Sequence, residues 1–442
     1  MARAAVRNER RLIAGAAALV LAGGITYVAM ANPVTAMRPA AQQVAAKPVP
    51  PAVVSVTPAD GAAKITPDTQ VQVTASGGTL TEVTVAAGKS TMTGQYGSGN
   101  TSWSTQWGLK PGTSYTVTAV AKNRKGALTT EVTHFTTQKP ARVLEVTSIT
   151  PNSGETVGIG MPIIVNFNYD VDPSDRPSVE HALEVGSDVP VAGAWFWASD
   201  SEVVFRTQNY WPTHEHVRLT AHLTGVPGGP DLWAAEDLTR SFKIGNSHVV
   251  KVNLRTDYAR FYINGSLAKK IPVSGGMGGY DSYGNDFYTT SGVHLTMGSY
   301  DSVVMTSPNI KPNQPGYYHE VVYHDVQISD SGEYLHQSPG GEWCLGHENC
   351  SHGCVRMTAD GADWWQHTAY RGDPVTITGS PRVLEWGNGW GYWQESWSSW
   401  LKGSSSGPVT TTALMAASPA AVPTDPAAPA ASSPSAIPTT AG

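Results

Sequence analysis

Apolar and polar residues alternate with a period of two along most of this chain, the pattern of strands that bury one face. Val71/Val73 and Tyr115/Val117/Ala119 show it early, Val217/Leu219/Ala221/Leu223 in the middle, and Val250/Val252/Leu254 later. Turn residues punctuate the runs at Lys110-Pro111-Gly112 and Pro227-Gly228-Gly229, and Asn264-Gly265 directly after Arg260-Phe261-Tyr262-Ile263 predicts a two-residue hairpin. Further strand-like runs cover 293–297, 303–305 and 320–328. Helical periodicity is confined to two places. One is 359–370, stopped by Gly372 and carrying Trp364 and Trp365; the other starts at Tyr392, where Trp393, Trp397 and Trp400 share a face. The pattern predicts a mainly β, mainly antiparallel protein rather than βαβ units.

The strands group into segments. Val54-Ser55-Val56-Thr57-Pro58-Ala59-Asp60-Gly61 is echoed by Thr147-Ser148-Ile149-Thr150-Pro151-Asn152-Ser153-Gly154. Each copy opens a cysteine-free stretch of the size of an immunoglobulin-type β-sandwich, which predicts two such domains over 53–139 and 142–245. Trp103, Trp107, Trp195, Trp197 and Trp211 are read as filling their cores rather than stacking on sugars. His214 and His216 are expected on one strand face; with no third ligand in reach they are read as structural. A third domain is expected over 247–380, followed by a Trp-rich subdomain over 381–402. That subdomain should pack against its neighbour, because Trp386, Trp390, Trp393, Trp397 and Trp400 left bare would form a large apolar patch. The Ala/Pro/Ser/Thr segment 403–442 has too little to bury and is expected to be disordered.

Composition adds direction. A formal net charge of −6 gives no reason to expect nucleic acid, and the one basic cluster, Arg7 to Arg11, directly precedes the uncharged, mostly apolar run 12–31. That run is long enough to span a bilayer, and it ends in Ala29-Met30-Ala31, a site that signal peptidase could cut. Segment 1–31 is thus a signal peptide or an uncleaved membrane anchor, and with no cysteine near its end it is not a lipoprotein anchor. Either way the basic flank stays inside and the remainder is exported, beginning with a Pro/Ala-rich spacer over 32–52.

The chemistry concentrates in one stretch. All three cysteines and two well-placed histidines lie in His336-Gln337-Ser338-Pro339 through Ser351-His352-Gly353-Cys354-Val355-Arg356. Cys354 follows a glycine, which lets backbone N–H groups approach a carbonyl closely. A thiol needs a base to become a nucleophile, and His336, after the strand-like run Glu333-Tyr334-Leu335, is the candidate. This signature resembles that of the L,D-transpeptidases, the YkuD-type cysteine enzymes that cross-link bacterial peptidoglycan. Thr289-Thr290-Ser291-Gly292-Val293-His294 and the run from Ser329 to His336 also look typical of the family, so the resemblance covers roughly 248–380.

The resemblance implies a β-rich YkuD-type catalytic domain behind two immunoglobulin-like sandwiches, with a short Trp-rich helical extension. It implies an acyltransferase without a cofactor, in which Cys354 attacks a tetrapeptide stem before its terminal D-Ala and another stem's amine resolves the thioester into a 3→3 cross-link. His336 is then the base, the Gln337 backbone carbonyl its third partner, and Gly353 and Cys354 N–H groups the oxyanion site. Tyr318, Met305, Ser331 and Gly332 fall where related enzymes line the donor site. Arg356 is open between pairing a substrate carboxylate and bracing its loop; His352 either shapes the pocket or is structural. Carbapenem β-lactams are the implied inhibitors, and the cytoplasmic membrane a partner if the N-terminal segment is uncleaved. Cys344 and Cys350 depart from the family pattern. With Cys354 kept free, an exported chain should pair them, closing a short loop worth roughly 2 kcal/mol; a Cys350–Cys354 pair would silence the enzyme instead. A zinc cluster of these cysteines with His347 and His352 is disfavoured, since structural zinc ligands usually come from two separated knuckles. A cysteine hydrolase or L,D-carboxypeptidase acting on the same stems is the second reading, and a non-catalytic wall-binding protein the third. The sandwiches are expected to be spacers, so that a fragment starting near residue 246 keeps its chemistry.

Overall fold

The computed structural model describes residues 48–414. The signal or anchor segment 1–31, most of the linker 32–52 and most of the tail 403–442 lie outside the described residues. Two sandwiches come first. In the first, the strands Val53–Thr57, Gln72–Ser76, Ser102–Thr105 and Gly94–Tyr96 face a five-stranded sheet containing Gly78–Ala87, Ser114–Asn123 and Leu128–Thr137. Inward residues Val73, Leu80, Trp103, Val117 and Phe135 meet between them. The second repeats the plan around Trp195, Phe205, Leu219 and Phe242. The sequence echo has a structural counterpart. Gly61 and Gly154 both adopt φ of +75°, a left-handed conformation that favours glycine, and each donates its N–H to the far strand, to His134 O and Ser241 O at 2.7 Å.

Trp103, Trp195, Trp197 and Trp211 are buried in the cores, but Trp107 is not. It lies beyond the end of its strand and stacks on His222 of the second sandwich, ring centres 4.0 Å apart. His214 also departs from expectation. It occupies the turn before the strand His216–Ala221, with φ of +64°, so it shares no strand face with His216, whose Nδ1 instead meets Asp188 at 2.8 Å.

The third domain is one continuous sheet. Its strands are β1 (His248–Asn253), β2 (Tyr258–Ile263), β3 (Ser266–Ser274), β4 (Gly292–Leu295), β5 (Gly298–Thr306), β6 (His319–Gln327), β7 (Tyr334–Gln337), β8 (Val355–Met357) and β9 (Pro374–Thr378). They lie in the order β4-β9-β1-β2-β3-β8-β7-β6-β5. Asn264-Gly265 turns β2 into β3, both residues at positive φ as the tight hairpin requires. Two pairings are parallel, β1 with β9 and β7 with β8. Helix α1 (Ala359–Thr368) starts at Thr358, whose side chain accepts from Gly361 N–H, and it buries Trp365 against Phe261. Val250, Phe261, Val273, Leu335, Val355 and Met357 complete the core behind the site.

The C-terminal subdomain packs differently from expectation. The helical turn that would unite its tryptophans is broken into Gly391–Gln394 and Trp397–Trp400, because Ser396 is extended and caps the second piece. Much of its aromatic face sits on the second sandwich. Trp400 is fully buried beside Phe196 and donates to Ala194 O at 3.0 Å; Trp393 donates to Gly160 O at 2.9 Å. The Arg206 guanidinium lies over the rings of Trp393 and Trp400, 4.7 Å from each, and donates to Glu395 O; burial pulls it down to about 10. The same segment touches the catalytic sheet, where Gln394 Oε1 accepts from Val293 N–H at 2.7 Å.

Residues 404–414, assigned by composition to a disordered tail, run back along the second sandwich. Val409–Thr410 extends one of its sheets and Thr412–Ala413 the other. Buried Glu180 anchors the return by accepting from the N–H groups of Ser405 and Ser406 at 2.8 and 2.7 Å. The second sandwich also contacts the catalytic domain directly, through Gly158 and Gly160 N–H to the carbonyls of Arg371 and Gly372 and through an Arg371–Glu155 ion pair at 3.0 Å. It is therefore no detached spacer, and a fragment starting near residue 246 would bare Trp393 and Trp400. Trp400→Ala should cost about 3–5 kcal/mol in the unit it packs. Urea unfolding followed by circular dichroism checks this, and an unmoved midpoint would refute the packing role.

Candidate active site

Parallel pairing of β7 with β8 sets the site. Leu335 lies opposite Val355 and His336 opposite Arg356, which puts Cys354 at the mouth of β8 beside the histidine strand. His336 and Cys354 line one cleft of about 550 Å³, together with Tyr318, Met305, Ser331, Gly332, His352, Gly353 and Arg356. Gln337 lies outside the lining and serves through its backbone. Its carbonyl is 2.7 Å from His336 Nδ1. A carbonyl only accepts, so Nδ1 carries the proton and Nε2 keeps the lone pair for proton exchange.

The thiol rests elsewhere. Cys354 Sγ donates to Gly332 O at 3.6 Å, on the loop between β6 and β7. That loop is held by the C-terminal subdomain: Asn388 Oδ1 accepts from Ser331 N–H at 2.8 Å, its Nδ2 donates to Ser331 Oγ at 2.9 Å, and Gly389 N–H donates to Asp330 at 3.0 Å. Gly353 has φ of +139°, which favours glycine at this position. Its carbonyl accepts from Thr289 Oγ1 at 2.6 Å and its N–H donates to Ser351 Oγ at 3.1 Å. Of the two amides expected at the oxyanion, that of Gly353 is engaged in this state.

Electrostatics follow from burial. It pushes the Cys354 thiol up to about 12, against a backbone N–H of Tyr334 that favours the thiolate. It pulls His336 down to about 4, aided by the charge of Arg356 and opposed by the Gln337 carbonyl. Between those limits the pair rests as neutral thiol and neutral imidazole. Tyr318 is likewise raised to about 12 by burial. Its ring stacks on His352 at 4.7 Å, and Phe287 meets His352 edge-on at 4.9 Å, so His352 belongs to an aromatic wall. Burial lowers His352, with Arg356 adding to it.

Cys344 and Cys350 are joined, and Cys354 is the free cysteine. Arg356 Nη1 donates to Cys350 Sγ at 3.5 Å, a loop-bracing contact, while its buried Nε has no hydrogen-bond partner among the described residues. Among the described residues no group of three or more His, Cys, Asp or Glu could hold a metal. Sequence reasoning missed Thr289, whose hydroxyl accepts from Gly276 N–H and donates to Gly353 O, although it lies in a stretch already singled out. It also missed Ser351, Glu333, Glu320 and the Asp286–Arg382 pair on the cleft wall. Ser351 lies within the motif around Cys354 and Glu333 within the run from Ser329 to His336, whereas Glu320, Asp286 and Arg382 have no local motif and are brought to the cleft by the fold.

Comparison with known proteins gives a consistent picture. Residues 62–227 match the family described as bacterial Ig domain, and residues 247–377 match L,D-transpeptidase catalytic domain. L,D-transpeptidase 2 of Mycobacterium tuberculosis is 30% identical over 359 residues, covering 80% of this chain and 85% of that one. L,D-transpeptidase 5 of the same organism is 30% identical over 363 residues, covering 80% and 77%. Among solved structures, LD transpeptidase LdtMt1 in complex with imipenem is 25% identical and covers 53% of this chain and 98% of that one, with a TM-score of 0.44.

The resting neutral pair has a pH signature. Alkylation of Cys354 by iodoacetamide should keep rising by about tenfold per pH unit up to about pH 10, because the thiolate fraction is still growing there. An ordinary thiol would level off above about pH 8.5. Mass-resolved alkylation rates check this, and a plateau near neutral pH would show a preformed thiolate.

Proposed function

The chain belongs to the L,D-transpeptidase family, and from that premise we propose that it cross-links peptidoglycan stem peptides through a thioester on Cys354. His336 Nε2 takes the thiol proton as sulfur attacks the carbonyl before the terminal D-Ala of a donor tetrapeptide. The C–S bond forms, the C–N bond breaks, and the proton passes from His336 to the departing amine of D-Ala. An acceptor amine then attacks the thioester, its C–N bond forms as C–S breaks, and the sulfur recovers a proton through His336. A diamino acid at position three of both stems makes the product a 3→3 cross-link. The oxyanion is held by the Cys354 N–H, joined by that of Gly353 once it leaves Ser351 Oγ.

The observation that carries this reading is the placement of His336, its Nδ1 anchored on Gln337 O, and of Cys354, directly before the strand paired with that of His336, in one cleft. The neutral resting pair supports activation on substrate arrival, when the thiol leaves Gly332 O for His336. Ser331, Gly332, Tyr318 and Met305 line the donor side in this reading, and Arg356 steadies a donor carboxylate. The two immunoglobulin-like domains and the linker hold the site in the envelope outside the cytoplasm, whether segment 1–31 is cleaved or stays in the membrane. Carbapenems acylate the same sulfur by opening their β-lactam ring.

Incubation of the exported chain with disaccharide-tetrapeptide, read by product mass, tests the proposal. Cross-linked dimer and free D-Ala are expected; D-Ala without dimer would establish a carboxypeptidase. Cys354→Ala should lower turnover at least about 10⁴-fold and leave no carbapenem adduct, and His336→Ala should slow D-Ala release about 10²–10⁴-fold. A carbapenem mass shift on any residue but Cys354 would overturn the nucleophile.

A further inference from the structure

The hairpin of β5 and β6 forms one wall of the cleft. Side chains on a strand alternate faces, and cross-strand partners share one. Met305 pairs with Glu320 and Val303 with Val322, and all four line the cleft. Their neighbours Val321 and Tyr323 are exposed. The cleft-lining positions of the two strands are Val303, Val304, Met305, Thr306, Glu320 and Val322, a mostly apolar strip with Glu320 as its one carboxylate.

Three carboxylates line this cleft. Asp286 is 3.7 Å from Arg382 and is committed to it. Glu333 is buried and accepts from Thr290 N–H at 2.7 Å and Thr290 Oγ1 at 2.5 Å. Glu320 alone is exposed and has no hydrogen bond or ion pair among the described residues. It lines the same cleft as Tyr318, His352 and Arg356, and its charge bears on all three. An uncommitted acid on a mostly apolar strip matches a side chain of methylene groups ending in an ammonium.

The reading above requires such a group. An acceptor side-chain amine has a pKa near ~10.4 and arrives as an ammonium. It must lose one proton to water before attack and a second, through His336, as the C–N bond forms and sulfur leaves. The charged form has to be drawn to the thioester first, and a carboxylate on a cleft wall does that.

We propose that Glu320 is a specificity-determining residue that holds the acceptor ammonium, with the acceptor's methylene chain laid along Val303 and Val322. The inference rests on the transpeptidase reading. Its test is the partition of one thioester between amine and water, in which donor binding cancels. With disaccharide-tetrapeptide as both donor and acceptor, Glu320→Gln should lower the ratio of cross-linked dimer to hydrolysed tripeptide about tenfold, the loss of one ion pair in a partly solvated cleft. Glu320→Asp should recover most of it. Because the side chain is exposed, neither change should unfold the domain. An unchanged ratio in Glu320→Gln would overturn the proposal, as would a slower D-Ala release with the ratio intact, which would put Glu320 on the donor. If the unaltered chain releases no D-Ala at all, the transpeptidase reading fails and this inference falls with it.

Discussion

Three residue pairs carry the site. The parallel ladder of Leu335, His336 and Gln337 with Val355, Arg356 and Met357 aligns the histidine strand with the strand that begins directly after the cysteine. A slip of one residue would turn His336 into the core and Leu335 into the cleft. Packing defends the register: Leu335, Val355 and Met357 are fully buried beneath α1, whose Trp365 closes the far side. The burial that holds the strands also sets the electrostatics. It raises the thiol and lowers the imidazole, so both groups are favoured in their neutral forms in this cleft.

What could be read from the sequence was local or periodic. Asn264-Gly265 announces its hairpin because two consecutive positive φ values demand those residue types. The repeated octapeptide places matching turns in two sandwiches because each copy needs its glycine at the same point. The motif around Cys354 points to its family because the residues that mark it lie close in the chain. The resting place of the thiol, by contrast, is a carbonyl on another loop, and the Gly353 amide is occupied by a serine two residues away. Neither leaves a trace in spacing.

The misreadings share a cause. Trp393, Trp397 and Trp400 keep helical spacing, yet an extended Ser396 splits the helix, because the rings must reach Arg206, Phe196 and Gly160 on another domain. Residues 409–413 look like linker by composition, but a two-residue strand needs little propensity when the edges of two formed sheets supply the hydrogen bonds. The area of Trp107 predicts a core position; the ring is covered by the neighbouring sandwich instead of its own.

These contacts alter what the sandwiches are for. The second one is joined to the catalytic sheet by backbone bonds at Gly158 and Gly160, and the C-terminal segment ties both together before returning to fill its edges. Along that segment Trp393 is seated on the second sandwich, Gln394 on the catalytic sheet, and Asn388 on Ser331, next to the Gly332 carbonyl that receives the thiol. Separate hydrogen bonds from one short segment, residues 388–394, thus reach both the sandwich wall and the loop bearing on Cys354. Buried Ser329 and Glu333 fix the base of the loop within the catalytic domain, Glu333 accepting from Thr290, while its tip at Asp330 and Ser331 is held by the subdomain, so the resting place of the Cys354 thiol is set jointly by the catalytic domain and by a segment whose footing is largely on another domain.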